Sequence, residues 1–159
     1  MPDCAREVMP TVLITGASRG LGLEFARQYA ELGWHVLSTC REPDRASALR
    51  VLAERHPSMC LHALDVTQDK SVRSLAEVLD GTTIDVLLNN AGIAGRIDRQ
   101  VLGALDYGVG HETMETNLFG PLRMAEAFLE HVAASDQRKI MTVSSALGSI
   151  STTTGGSLF

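Results

Sequence analysis

The segment Thr15-Gly16-Ala17-Ser18-Arg19-Gly20-Leu21-Gly22 places three glycines inside a short turn. Glycine lets a backbone approach a ligand closely, and it tolerates dihedral angles that other residues resist. The apolar run Val12-Leu13-Ile14 before the turn reads as a buried strand. After it, Leu21, Phe25, Tyr29 and Leu32 recur at spacings of four and three, the signature of one helix face. A buried strand therefore runs through a glycine turn into an amphipathic helix. The first N–H groups of that helix lack intrahelical partners and face an anion. The chemistry this arrangement offers is capture of a dinucleotide diphosphate.

Other polar residues fall where further strands end. Ser38-Thr39-Cys40-Arg41 closes a second apolar run and carries no acid before Arg41. An acid there would bond a free ribose 2′-hydroxyl, whereas a cation accepts a 2′-phosphate. Arg41 and Arg19 together therefore favour NADP(H). Charge-assisted bonds of about 1.5–3 kcal/mol each give roughly tenfold preference over NAD(H) per contact. The alternative is a pair of solvated loop arginines. Asp65 ends a third run, placed to accept from an adenine amino group with the Val66 amide beside it; an ordinary turn or helix-capping aspartate is the competing reading. Asn89-Asn90-Ala91-Gly92 ends a fourth run. Its small residues let backbone pass close to a ribose, and its asparagines are suited to tying neighbouring strand ends together.

These residues need a scaffold that brings strand ends together. Strand candidates Trp34–Thr39, Met59–Leu64, Ile84–Leu88 and Lys139–Val143 alternate with helices near Asp44–Arg55, after Asp69 and over Glu112–Ala133. The last of these helices shows Met114, Leu118, Leu122, Ala125, Leu129 and Val132 as its apolar stripe. Short apolar strands separated by helices predict a doubly wound parallel α/β sheet with helices on both faces. Right-handed crossovers give the order 3-2-1-4-5 and a ligand crevice at the carboxyl ends of strands one and four.

The 159 residues predict one domain with an ordinary balance of 45% hydrophobic and 21% charged residues. A net charge of -5 with no basic run argues against a nucleic-acid surface. No apolar stretch is long enough for a membrane span, and the first seven residues do not resemble a signal peptide. The expected setting is cytoplasmic. Cys4, Cys40 and Cys60 have no metal-ligating neighbours at short spacing; they are expected to be free thiols, with Cys40 and Cys60 in the core and no metal site.

Taken together, Thr15-Gly16-x-x-x-Gly20-x-Gly22, Asp65, Asn89-Asn90-Ala91-Gly92, Asn117 and Ser144-Ser145 resemble the short-chain dehydrogenase/reductase family over nearly the whole chain. Thr39–Pro43 and the stretch from Ser145 to Gly156 are similar to its carbonyl-reductase-like members. The resemblance implies a Rossmann-type fold and hydride transfer between NADP(H) and a small carbonyl or alcohol substrate. It implies that Gly16, Ser18, Arg19, Gly20, Leu21 and Gly22 hold the pyrophosphate, Asp65 and Val66 the adenine, and Asn90, Ala91 and Gly92 the ribose. Ser145 matches the serine that polarises the substrate carbonyl, and Asn117 the helix asparagine that holds a relay water. Independently of the resemblance, Pro121 has no N–H, so the Asn117 carbonyl loses its helical partner; a plain proline kink is the alternative.

The family's acid is a tyrosine followed four residues later by a lysine. Neither Tyr29 nor Tyr107 has a lysine at that spacing, and the only lysines are Lys70 and Lys139. His111 and His131 as substitute acids are weighed against solvated helix residues. The tyrosine would be due near Phe159, so the resemblance implies that a C-terminal helix and further strands are missing. A mobile tail over 149–159 and an unpaired fifth strand follow, with low stability or self-association as a homo-oligomer. Ala94–Gly110, with Arg96, Arg99, Leu102 and Tyr107, is a candidate wall of the substrate site. A non-catalytic NADP-binding or interaction protein is the alternative function.

Overall fold

Five parallel strands form one sheet in the order β3-β2-β1-β4-β5: β1 (Thr11–Ile14), β2 (His35–Cys40), β3 (Met59–Ala63), β4 (Val86–Asn89) and β5 (Lys139–Thr142). The computed structural model describes residues 9–96, 100, 103–149 and 151. Cys4, Arg99, Leu102 and the tail apart from Ser149 and Ser151 lie outside the described residues.

Alternation along the strands builds a core on each face. Val12, Ile14, Val36, Val86 and Leu88 point to one side, where Ala26 and Ala30 of α1 (Gly20–Glu31) and Leu49 of α2 (Ser47–Arg55) cover them. Leu13, Leu37 and Leu87 point to the other. There they meet Val72 and Leu75 of α3 (Asp69–Val78), Met124 of α5 (Gly120–Ala127), and Phe128 and Val132 around α6 (Leu129–Ala133). Ahead of α5 come α4 (Tyr107–Met114) and a widened π-helical turn over Glu115–Phe119. The predicted helix over Glu112–Ala133 is thus a helical run that starts earlier and is broken into pieces.

Two predicted stripes are corrected. Leu21 and Leu32 of the first helix are exposed, at 62% and 73%; the buried side is Gly22, Ala26 and Ala30, with Phe25 and Tyr29 half-buried. Small residues are what let α1 pack close to the sheet. In the long helical run, Met114, Leu118, Leu122 and Leu129 of the predicted stripe are exposed, and its Val132 is buried together with Gly120, Met124 and Phe128, which lay outside it. That run is apolar on two sides, so periodicity alone did not say which side meets the sheet. Cys40 is buried as expected, but Cys60 is exposed, because β3 is an outer strand. β5, the other outer strand, is exposed along its length. No helix among the described residues is long and apolar enough to cross a membrane.

Candidate functional site

The glycine turn links β1 to α1 in a geometry that side chains would obstruct. Gly16 has φ +70°, and a Cβ there would lie 2.9 Å from the Ala91 Cα. A Cβ on Gly22 would run into the Gly16 carbonyl oxygen and the Asn90 amide nitrogen. Arg19 is the N-cap of α1 in extended backbone and makes no side-chain cap, so no side chain occupies the first-turn amides from that position. The turn is tied to the end of β2: the Ala17 N–H donates to the Thr39 carbonyl at 2.8 Å, and the Thr39 hydroxyl to the Ile14 carbonyl at 3.0 Å. This tether sets Arg41, two residues past Thr39, beside the glycine turn.

A second tether joins the turn to β4. The buried Thr15 hydroxyl accepts the N–H groups of Asn90 and Ala91, both at 3.0 Å. In return the Asn90 Nδ2 donates to the carbonyls of Thr15 and Gly16, at 2.9 and 3.1 Å. Asn90 thus joins the two strand ends side chain to backbone. Asn89 does not share this work: its amide is buried and unpartnered among the described residues.

Around these tethers lies a cavity of about 460 Å³ at the carboxyl ends of the strands. All twelve predicted cofactor-binding residues line it: Gly16, Ser18, Arg19, Gly20, Leu21, Gly22, Arg41, Asp65, Val66, Asn90, Ala91 and Gly92. Neither the Arg19 nor the Arg41 guanidinium has a partner among the described residues. Asp65 is also a turn residue, since its Oδ1 accepts from the Thr67 N–H at 3.0 Å and the Thr67 hydroxyl at 2.7 Å. The two sequence readings of Asp65 are therefore compatible. Cys40, Thr67, Ile93, Glu112, Glu115 and Thr116 line the cavity as well. Burial pushes the Cys40 thiol up from its ordinary value, which keeps it protonated. Glu112, Glu115 and Thr116 come from the far helical run, and no local pattern marked them.

Asn117 and Ser145 do not line this cavity. Asn117 sits in the widened turn and binds Ile93 through both ends of its side chain: Oδ1 accepts the Ile93 N–H at 2.9 Å, and Nδ2 donates to its carbonyl at 2.8 Å. The Gly120 N–H reaches back five residues to the Glu115 carbonyl. Such a turn follows where a proline removes a helical donor, here Pro121. Ser145 is exposed three residues beyond β5, and its carbonyl accepts the Gly148 N–H at 2.9 Å. Tyr29 packs edge-on against Trp34, ring centroids 4.8 Å apart, while Tyr107 is exposed. His111 is exposed, but His131 is not a solvated residue: both ring nitrogens are buried and its ring tilts against Phe128 at 5.1 Å.

Comparison with known proteins agrees with this geometry. The short chain dehydrogenase family model matches residues 10–157, and the chain belongs to that family. It is 34% identical over 168 residues to (+)-neomenthol dehydrogenase of Arabidopsis thaliana, covering 92% of this chain and 57% of that protein. Among solved structures, it resembles a carbonyl reductase from Pseudomonas aeruginosa with a TM-score of 0.86 and 30% identity, over 94% of this chain and 66% of that one. It also resembles an NADPH-bound carbonyl reductase from chicken fatty liver with a TM-score of 0.81 and 32% identity, over 91% and 60%. The chain thus spans between about half and two thirds of the length of these relatives.

Proposed function

We propose that this chain binds NADP(H) in the strand-end cavity, as part of an oxidoreductase acting on a small carbonyl or alcohol substrate. One observation carries the reading: a glycine cradle with no room for a Cβ at Gly16 or Gly22, with Arg19 and Arg41, unpaired among the described residues, beside it. The amides of α1 suit a diphosphate, and the two guanidiniums suit a further phosphate on the ribose. Asp65, Val66 and Thr116 suit the adenine side, and Asn90, Ala91 and Gly92 the ribose. Ser145 is the candidate group to polarise a substrate carbonyl, and Asn117, through its amide contact with Ile93, to position the loop that follows Gly92. The bound cofactor would supply the hydride. NADP-bound relatives support the cofactor class, and the arginines support NADPH over NADH.

A second reading, cofactor binding without turnover, is favoured by one observation: neither Ser145 nor Asn117 lines the cavity that holds the candidate cofactor residues. The exposed apolar residues of α5, α6 and β5 support self-association. Titration with NADPH and NADH, followed by addition of a small aldehyde, separates the readings. NADPH binding with turnover supports the reductase, binding alone supports the second reading, and absence of binding removes both.

A further inference from the structure

Arg123 stands on α5, outside the cavity, yet two of its three contacts end on the cavity wall. Its guanidinium donates to the carboxylates of Asp69, the first residue of α3, and Glu115 in the widened turn. It also donates to the Val66 carbonyl at 3.4 Å. Glu115 and Val66 both line the cavity; Arg123 does not. The same helix touches Val66 directly, since a Cβ on Gly120 would lie 2.9 Å from the Val66 Cγ2. The Arg123 side chain is only 24% exposed, so its charge is partly shielded from water.

Glu115 would otherwise be a poor wall for the ligand proposed above. NADPH carries several negative charges, and an unpaired carboxylate facing it repels it through a partly desolvated space. We propose that Arg123 is a positioning residue for cofactor binding, neutralising Glu115 and holding Val66 in place on the adenine side. This inference rests on the NADP(H) reading. It differs from a simple pin between α3 and α5, because a pin does not depend on the charge of Glu115.

The test is an NADPH titration of the full chain, read by nicotinamide fluorescence, with a thermal melt of each variant. Arg123→Ala should weaken binding about tenfold, and adding Glu115→Gln to it should restore most of that loss. Glu115→Gln alone should tighten binding severalfold at low salt, an effect that fades as salt rises. That single variant decides the matter if Arg123→Ala fails to fold. A loss that Glu115→Gln does not restore, or a Glu115→Gln chain that binds no tighter, overturns the inference and leaves the cofactor reading standing. No NADPH binding by the unmutated chain overturns the cofactor reading, and this inference with it.

Discussion

Asn117 satisfies both backbone polar groups of Ile93, 24 residues earlier in the chain, with a two-ended amide contact. Ile93 follows directly on Asn90-Ala91-Gly92, and a Cβ on Gly92 would lie 3.3 Å from the Asn117 Oδ1. The asparagine therefore fixes the path of the loop that leaves β4 along the cavity. Replacing it with alanine should cost about 1–2 kcal/mol for two partly exposed bonds. Hydrogen exchange should show the Ile93 amide losing protection while the β1 amides keep theirs. Equal protection in both chains would show that the contact does not hold the loop.

Thr15 is the counterpart on the other side of the loop. Thr15→Val keeps the shape but leaves the N–H groups of Asn90 and Ala91 without their acceptor. The expected loss is about 2–4 kcal/mol in urea unfolding, with Thr15→Ser recovering most of it.

Gly22 and Gly20 separate crowding from backbone strain. Gly20 has φ +58° and nothing within 4 Å of a Cβ, so Gly20→Ala should cost about 1–2 kcal/mol. Gly22→Ala must move the Gly16 carbonyl or the Asn90 amide, and should cost more and weaken NADPH binding as well. Thermal melts with and without NADPH give both comparisons.

Arg19→Ala and Arg41→Ala should each reduce the preference for NADPH over NADH by roughly tenfold, and should flatten the salt dependence of NADPH binding. Competitive titration with both nucleotides measures this. An unchanged preference in both variants would mean that the arginines are solvated loop residues.

His62 predicts an acid-side weakness. Burial, with His35 nearby, pushes its imidazole below the ordinary value of 6.5, and its Nε2 is buried with no partner among the described residues. The unfolded chain therefore binds the proton more readily than the folded one. Stability is fully present above about pH 6.5 and declines as pH falls below it. His62→Gln should flatten that part of the stability curve, measured by urea midpoints from pH 7.5 to pH 5.

The cavity was legible because its residues sit at strand ends, where alternating apolar runs stop and small or polar residues begin. Gly16, Asp65 and Asn90 are each marked locally, and the parallel sheet brings them together. Glu115 and Arg123 were not legible, because their role depends on how a helix more than 90 residues after the turn is rotated against the sheet. The same rotation explains the misread stripe: Leu122 and Met124 are equally apolar, and only packing selects Met124. Cys60 was misassigned for a related reason, since nothing local to β3 says that it is an outer strand.

The widened turn over Glu115–Phe119 acts as a gearing between two halves of one helical rod. Each residue advances an α-helix by about 100°, so one residue more or fewer in that turn swings everything beyond it by that angle. Removing one would rotate Met124 and Phe128 off the sheet and carry Arg123 away from Glu115. The upstream half faces the cavity and the downstream half faces the core, and a straight rod of this sequence could satisfy only one of them.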